Sequence, residues 1–273
     1  MSLSNIPIDM LLPGVELSAK AIYKLACGIT RRNGSDKPYE EYTPEDRAIV
    51  DRMSTGVTEL RSLLASRGPR YHSVSFANFQ IEDSAQQQVV EHLVQYGHTA
   101  EDHILAGTNV VLLGPKGTGK DHLVIALAKL VTMETGIAPT WINGIDLYQE
   151  LRRDAIDRED SHGNDIIRKM KRNPILIVSD PILPAGILSE FLQNSLYQIV
   201  DYRYSHQRPT WITLNAASGE DASQRLGYQT VDRWRHDALV LSCNWQSFRK
   251  PRVLSPGTGM QQTLNPSHGE TMD

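Results

Sequence analysis

The residues best suited to chemistry lie between Val110 and Leu123, in VVLLGPKGTGKDHL: four apolar residues, a glycine-rich turn and a lysine that opens an amphipathic run. Gly114, Gly117 and Gly119 lack Cβ atoms, so the chain can wrap tightly there. Its N–H groups can then face an anion beside a helix N-terminus, where the helix dipole also favours negative charge. Gly114, Pro115, Lys116, Gly117, Thr118, Gly119, Lys120, Asp121 and His122 form a candidate nucleotide-binding loop. Lys120 is placed to reach the β- and γ-phosphates. The pattern G-x-x-x-x-G-K-[ST] is complete up to its last position, where Asp121 replaces the hydroxyl residue that touches Mg²⁺.

Hydrolysis at such a loop needs a carboxylate at the tip of a second strand, to hold Mg²⁺ through water and polarise the attacking water. Asp180, which follows the apolar run Ile175-Leu176-Ile177-Val178 and Ser179, is the acid in that place. Asn215, at the tip of Thr210-Trp211-Ile212-Thr213-Leu214, is a candidate for orienting water against the γ-phosphate. A lone Asn at a strand end is also an ordinary turn former. Arg233 either serves a neighbouring subunit as an arginine finger or is a surface arginine paired with Asp232 or Asp237.

The surrounding segments have the alternation needed to position these residues. Thr43-Pro44-Glu45-Asp46 reads as a helix start, with a cap, a first-turn proline and two acids beside the positive helix end. Ile49, Met53, Val57, Leu60, Leu63 and Leu64 continue at helical spacing to about Ser66, and Arg67-Gly68-Pro69 marks a boundary. That helix is either a plain appendage or a module that docks a partner. Arg70–Phe79 is an aromatic lead-in, in which Phe76 and Phe79 either face a nucleotide base or anchor the core. Helices are expected near Ser84–Tyr96, from His122 to Leu130, at Asp146–Arg153, Asp165–Arg172 and Ile187–Tyr204. Strands are expected at Val110–Leu113, Ala138–Ile142, Ile175–Val178 and Thr210–Asn215, with a polar loop at Asp157–Asn164. Such alternation predicts an α/β fold: a parallel sheet flanked by helices, with the polar strand tips at its carboxyl edge.

The chain has 273 residues, enough for one principal domain and a smaller appendage. With 28 basic and 32 acidic residues, the net charge of −4 argues against a generally basic nucleic-acid coat, so any DNA contact must come from a local patch. Cys27 and Cys243 are too few for a disulfide framework or a four-ligand zinc site. No targeting signal or membrane span is legible, and a reducing cytoplasm is expected. Residues 254–273 are rich in Gly, Pro, Ser, Thr and Gln and are expected to be disordered.

From Tyr71 to Arg249 the chain resembles the AAA+ ATPases of the DnaC/IstB group, which comprise bacterial replicative-helicase loaders and the helper ATPases of certain insertion sequences. RYHSVSFANF resembles their lead-in, GPKGTGKDHL the P-loop, ILIVSDP the Walker B strand, and the block ending in Asn215 the sensor 1 strand. RLGYQTVDRWR is similar to the arginine-finger block and NWQSFRK to the closing strand. This resemblance implies a P-loop AAA+ core over residues 67–253, with 1–66 as a helical partner-binding region. It also implies ATP and Mg²⁺ as cofactors, Asn215 as sensor 1, Arg233 as arginine finger, and Arg249 as a weaker sensor 2-like contact. Such proteins are expected to form homo-oligomers with ATP, to bind single-stranded DNA and to grip a hexameric replicative helicase, or alternatively a transposase. For DNA the implied segment holds Arg152, Arg153, Arg168, Lys169, Lys171 and Arg172. Asp154, Asp157, Glu159 and Asp160 dilute that patch, and a solvated mixed-charge helix face reads equally well.

Against the family pattern two positions depart together. Asp121 stands where a hydroxyl is expected, and Ser179 where the first acid of the Walker B pair is expected. If both face the metal, Mg²⁺ still meets one hydroxyl and one carboxylate from Asp121 and Ser179, with Asp180 left to polarise water. Without the cation, an extra carboxylate beside a triphosphate is repulsive by about 4 kcal/mol for unit charges 4 Å apart at an effective dielectric near 20. Three functions fit: an ATPase that loads a helicase onto single strands, a transposition helper on duplex DNA, and a nucleotide-binding adaptor with little turnover.

Overall fold

The computed structural model describes residues 44–156, 165–183 and 186–249. The expected cap at Thr43, the loop Asp157–Asn164 and the tail 254–273 lie outside them. A five-stranded sheet carries the molecule, with strands β1 (Val110–Leu113), β2 (Thr140–Asn143), β3 (Leu176–Ser179), β4 (Thr210–Leu214) and β5 (Leu239–Ser242). Every pairing is parallel and the order is β2-β3-β4-β1-β5. Parallel strands need crossovers, and helices supply them on both faces.

The helices are α1 (Pro44–Arg67), α2 (Ser84–His98), α3 (Ala100–Ala106), α4 (Lys120–Thr135), α5 (Gly144–Ile156), α6 (Asp165–Arg172), α7 (Glu190–Ser205), α8 (Gly219–Leu226) and α9 (Tyr228–Arg235). The helix α4 is apolar on almost every side because it lies between the sheet and the pair α1 and α2. This face of the sheet buries Val110, Leu112, Ile177 and Trp211 against Leu123, Leu127, Val131, Leu93 and Tyr96. The opposite face buries Val111, Val178, Ile212 and Leu214 against α5 to α9, including Leu192, Leu196, Val231 and Trp234.

The helix α1 precedes the boundary read at Arg67–Pro69, and it packs into the main core: Met53, Leu60, Leu63 and Leu64 join the cluster around α4. Its approach is close. A Cβ on Gly56 would overlap the carbonyl of Gly136 at the end of α4, so glycine is required there. The motif NWQSFRK is not the closing strand. That strand is Leu239–Ser242, and the chain after it leaves the sheet, because Trp245 and Phe248 bury against Phe79 and the glycine-rich loop instead of pairing. Among the described residues no helix is long and apolar enough to cross a membrane.

Candidate nucleotide-binding site

The sheet ends in a cleft of about 820 Å³ at its carboxyl edge, within the usual size of small-molecule sites. Lys116, Gly117, Gly119, Lys120, Asp121 and His122 line it from the loop and the start of α4. Asp180, Thr213 and Asn215 come from the tips of β3 and β4, and Arg249 from the chain's last described residues. The lead-in forms the opposite wall with Arg70, Tyr71, Asn78 and Phe79.

Lys120 donates from Nζ to the carbonyls of Gly114 at 2.8 Å and Pro115 at 2.6 Å, inside its own loop. Burial pulls its ammonium below the ordinary lysine range, while nearby Asp121 and Asp180 act in the opposite direction. A phosphate entering the cleft would supply the negative charge that this buried cation lacks. Thr118 is buried and folds its hydroxyl back onto Pro115. Gly117 has φ 87°, and a Cβ there would overlap Ser247, so the loop takes a left-handed turn under direct contact.

At the strand tips, register does what sequence order cannot. Ser179 and Thr213 are paired across the parallel strands β3 and β4. Both hydroxyls donate to Oδ1 of Asp121, Ser179 at 2.9 Å and Thr213 at 3.1 Å. The next residue, Asp180, holds φ 47°, an uncommon conformation for a residue with a side chain, and its N–H is tied to the Thr213 carbonyl at 3.0 Å. Its Oδ1 is buried and accepts no hydrogen bond of normal geometry. Burial raises the Asp180 carboxyl above the ordinary range, Asn215 and Lys116 oppose that rise, and Asp121 adds to it. Asn215 therefore acts on the carboxylate even though Oδ1 itself stays unpaired. Two carboxylates, one of them with an unpaired buried oxygen, and two hydroxyls are a donor set that suits a hard cation such as Mg²⁺. Asp121, Ser179 and Asp180 are the residues that would hold it, beside the phosphates.

Phe79 is a core anchor that also reaches the cleft. It is buried in the core cluster, and it also lines the cleft, edge-on to His122, Trp245 and Phe248. Phe76 packs on the core without lining the cleft. His122 donates from Nε2 to the Ser75 carbonyl at 2.8 Å, tying the lead-in to α4. Sequence reasoning missed Thr213, Trp245, Ser247 and Phe248. The signal for Thr213 was a buried hydroxyl within an apolar strand, two residues before its polar tip. The chain from Cys243 to Arg249 crosses the loop, with Cys243 N–H on the Leu113 carbonyl, Trp245 Nε1 on Thr118 and Phe248 N–H on Gly117.

Arg233 does not line the cleft. It lies on α9 with Nε 3.2 Å from Asp201, Nη1 3.7 Å from Asp232 and its guanidinium 5.0 Å from the Tyr204 ring centre, whereas Asp237 faces His236. The basic residues of α5 and α6 also lie away from it. Arg152, Arg153, Arg168, Lys169 and Arg172 are exposed, Arg153 is paired with Glu150, and half-buried Lys171 lies 5.4 Å over the Tyr202 ring. A bond from Ile166 N–H to Asp154 joins the two helices.

These features agree with what the chain is similar to. The family model described as IstB-like ATP binding protein matches residues 54–255. The uncharacterized protein YdaV of Escherichia coli is 26% identical over 69% of this chain and 73% of its own length. A putative insertion sequence ATP-binding protein of Sinorhizobium fredii is 30% identical over 54% of this chain, which spans about half of that relative (49%). Among solved structures, the DnaC helicase loader superposes with a TM-score of 0.56 at 21% identity, over 64% of this chain and 99% of that one. DnaI gives 0.53 at 19%, over 62% and 90%. A P-loop AAA+ fold with a family match across most of the chain makes this protein a member of the IstB-like ATP-binding family.

Proposed function

We propose that this chain is an ATP hydrolase that uses ATP, with Mg²⁺, to load a hexameric replicative helicase onto single-stranded DNA in the cytoplasm. The supporting observation is the convergence of Lys120, Asp121, Asp180 and Asn215 on one cleft at the carboxyl edge of the sheet. In this reading Lys120 leaves the Gly114 and Pro115 carbonyls for the β- and γ-phosphates. Mg²⁺ supplies charge neutralisation at the phosphates. Asp180 orients and polarises the attacking water, and Asn215 fixes that water against the γ-phosphate. Phe79 and Tyr71 offer an apolar wall for the base.

Arg233 completes a neighbour's site in a homo-oligomer, exchanging Asp201 for phosphate, and Arg249 contacts the same nucleotide from within its own chain. The DNA strand runs along Arg152, Arg153, Arg168, Lys169, Lys171 and Arg172, while residues 1–66 hold the helicase.

A transposition helper that binds duplex DNA beside a transposase is the second reading, and the insertion-sequence relative supports it. ATP-dependent binding to single-stranded and duplex oligonucleotides of equal length separates the two. The loader should prefer single strands; binding to duplex at least about tenfold tighter, equivalent to about 1.4 kcal/mol, would assign the helper role instead.

A further inference from the structure

We propose that Asp121 and Ser179 are an exchanged pair, in which the P-loop helix delivers the carboxylate of the cation site and β3 delivers the hydroxyl. The inference rests on the cleft being a nucleotide site. P-loop enzymes hold Mg²⁺ with a hydroxyl after the loop lysine and an acid at the end of a second strand. Here the residue after Lys120 is an acid, and β3 ends in Ser179, one residue before Asp180. A damaged site would leave these two side chains facing unrelated partners. They face each other instead, Ser179 Oγ donating to Asp121 Oδ1 at 2.9 Å, and Thr213 donating to the same oxygen at 3.1 Å. Ser179 is 3% exposed and Thr213 2%, so the two hydroxyls are built into the sheet and fix the Asp121 carboxylate in one orientation. The buried, unpaired Oδ1 of Asp180 lies on the next residue of the same chain segment.

A functional consequence separates this arrangement from a merely structural one. Asp121 and Asp180 put two carboxylates in the triphosphate cleft, so nucleotide without a divalent cation is repelled, and nucleotide with it gains a ligand. ATP affinity in this chain is therefore coupled steeply to the cation. The cation requirement is set at binding, before hydrolysis.

Titration of the full chain with a fluorescent ATP analogue, in Mg²⁺ and in EDTA, tests this. Wild type should bind at least about 30-fold more tightly with Mg²⁺. Asp121→Asn keeps an oxygen to accept both hydroxyls but removes the charge, so its melting temperature should hold while the Mg²⁺/EDTA ratio falls about tenfold, chiefly through tighter binding in EDTA. Asp121→Ser and Ser179→Asp should each weaken Mg²⁺-ATP about tenfold, and the double change Asp121→Ser with Ser179→Asp should return to within about threefold of wild type, a non-additive cycle. An unchanged ratio in Asp121→Asn, additive energies across the cycle, or tighter Mg²⁺-ATP binding in Asp121→Asn overturns the exchange while leaving the nucleotide site intact. If Ser179→Asp fails to fold, the Asp121→Asn arm decides alone. Wild type that binds no nucleotide under either condition overturns the site reading itself, and the exchange with it.

Discussion

Three buried cations, at two edges of the sheet and on the helix between them, show how similar burial serves different ends. At the amino edge, Arg203 is 1% exposed and uses all five N–H donors: Nε on Thr210, Nη1 on the Met170 and Asn173 carbonyls, Nη2 on those of Pro174 and Pro209. It ties α6, α7 and the starts of β3 and β4 together and leaves no donor for a ligand. At the carboxyl edge, Lys120 is 6% exposed and donates only to two carbonyls of its own loop, beside an open cleft. Lys129 is intermediate. It is fully buried on α4 and donates to the His72 and Val74 carbonyls, anchoring the lead-in that walls the cleft. Burial pulls the ammonium of Lys129 down to about 8. Depressed basicity is common to all three, so it does not identify function. Saturation of the donors and access to a cavity do.

The sharpest way to break this comparison is at Arg203. Arg203→Met should cost about 3–5 kcal/mol in urea unfolding, because five acceptors at the amino edge lose their donor together. A loss below about 1 kcal/mol would remove the clamp reading. Lys120→Ala should do the reverse. ATP affinity should fall at least about 100-fold by calorimetry, with a melting temperature close to wild type, since Lys120 donates only within its own loop and joins no distant segments. Unchanged affinity in a folded variant would show that the loop does not hold phosphate.

Lys129 sharpens the comparison through pH. Unfolded, it keeps its proton up to about 10.5; folded, it loses it near 8. Between those values the unfolded chain binds more protons, so stability should rise with pH through that window. The neutral amine retains two N–H donors, enough for His72 and Val74. The expected rise is about 2–4 °C in melting temperature, that of about 1 kcal/mol in a chain of this size. It should be absent in Lys129→Met; an equal rise in that variant would assign the effect elsewhere. The smallest effect on stability is expected at Arg233, a surface arginine paired with Asp201. Arg233→Ala should keep its melting temperature and ATP affinity but lose ATP hydrolysis, and mixing it with Lys120→Ala chains should restore some turnover. No recovery, with subunit exchange verified, would place Arg233 outside any shared site.

Much of the frame was legible because it is written in local pattern. The helix Asp165–Arg172 has the bounds its sequence suggests, and Ser84–His98 extends the expected helix by a single half-turn. Strands β1, β3 and β4 are short apolar runs between turn residues, which a buried parallel sheet requires. Less legible were α3, α8 and β5. The helices α3 and α8 have only 7 and 8 residues, too short to carry much periodicity. The edge strand β5 alternates weakly, with Val240 45% exposed. The block NWQSFRK, which its resemblance implies to be the closing strand, does not pair, because burial of Trp245 and Phe248 against Phe79 and the loop prevails.

Local pattern is enough to locate the glycine-rich loop, the lysine that follows it, the acid and amide at two strand tips, and the alternation of β1 to β4 with their longer helices. These depend on backbone freedom and periodicity within a few residues. Which side chains meet depends on packing between distant segments. Ser179 and Thr213 reach Asp121 across 58 and 92 residues of chain because the register of β3 with β4 sets both hydroxyls at one level beneath α4. Arg203 likewise becomes a clamp because the chain returns five acceptors to one point. Register and close packing between distant segments carry no local sequence signature, and they turned an apparent defect at Asp121 into a paired carboxylate.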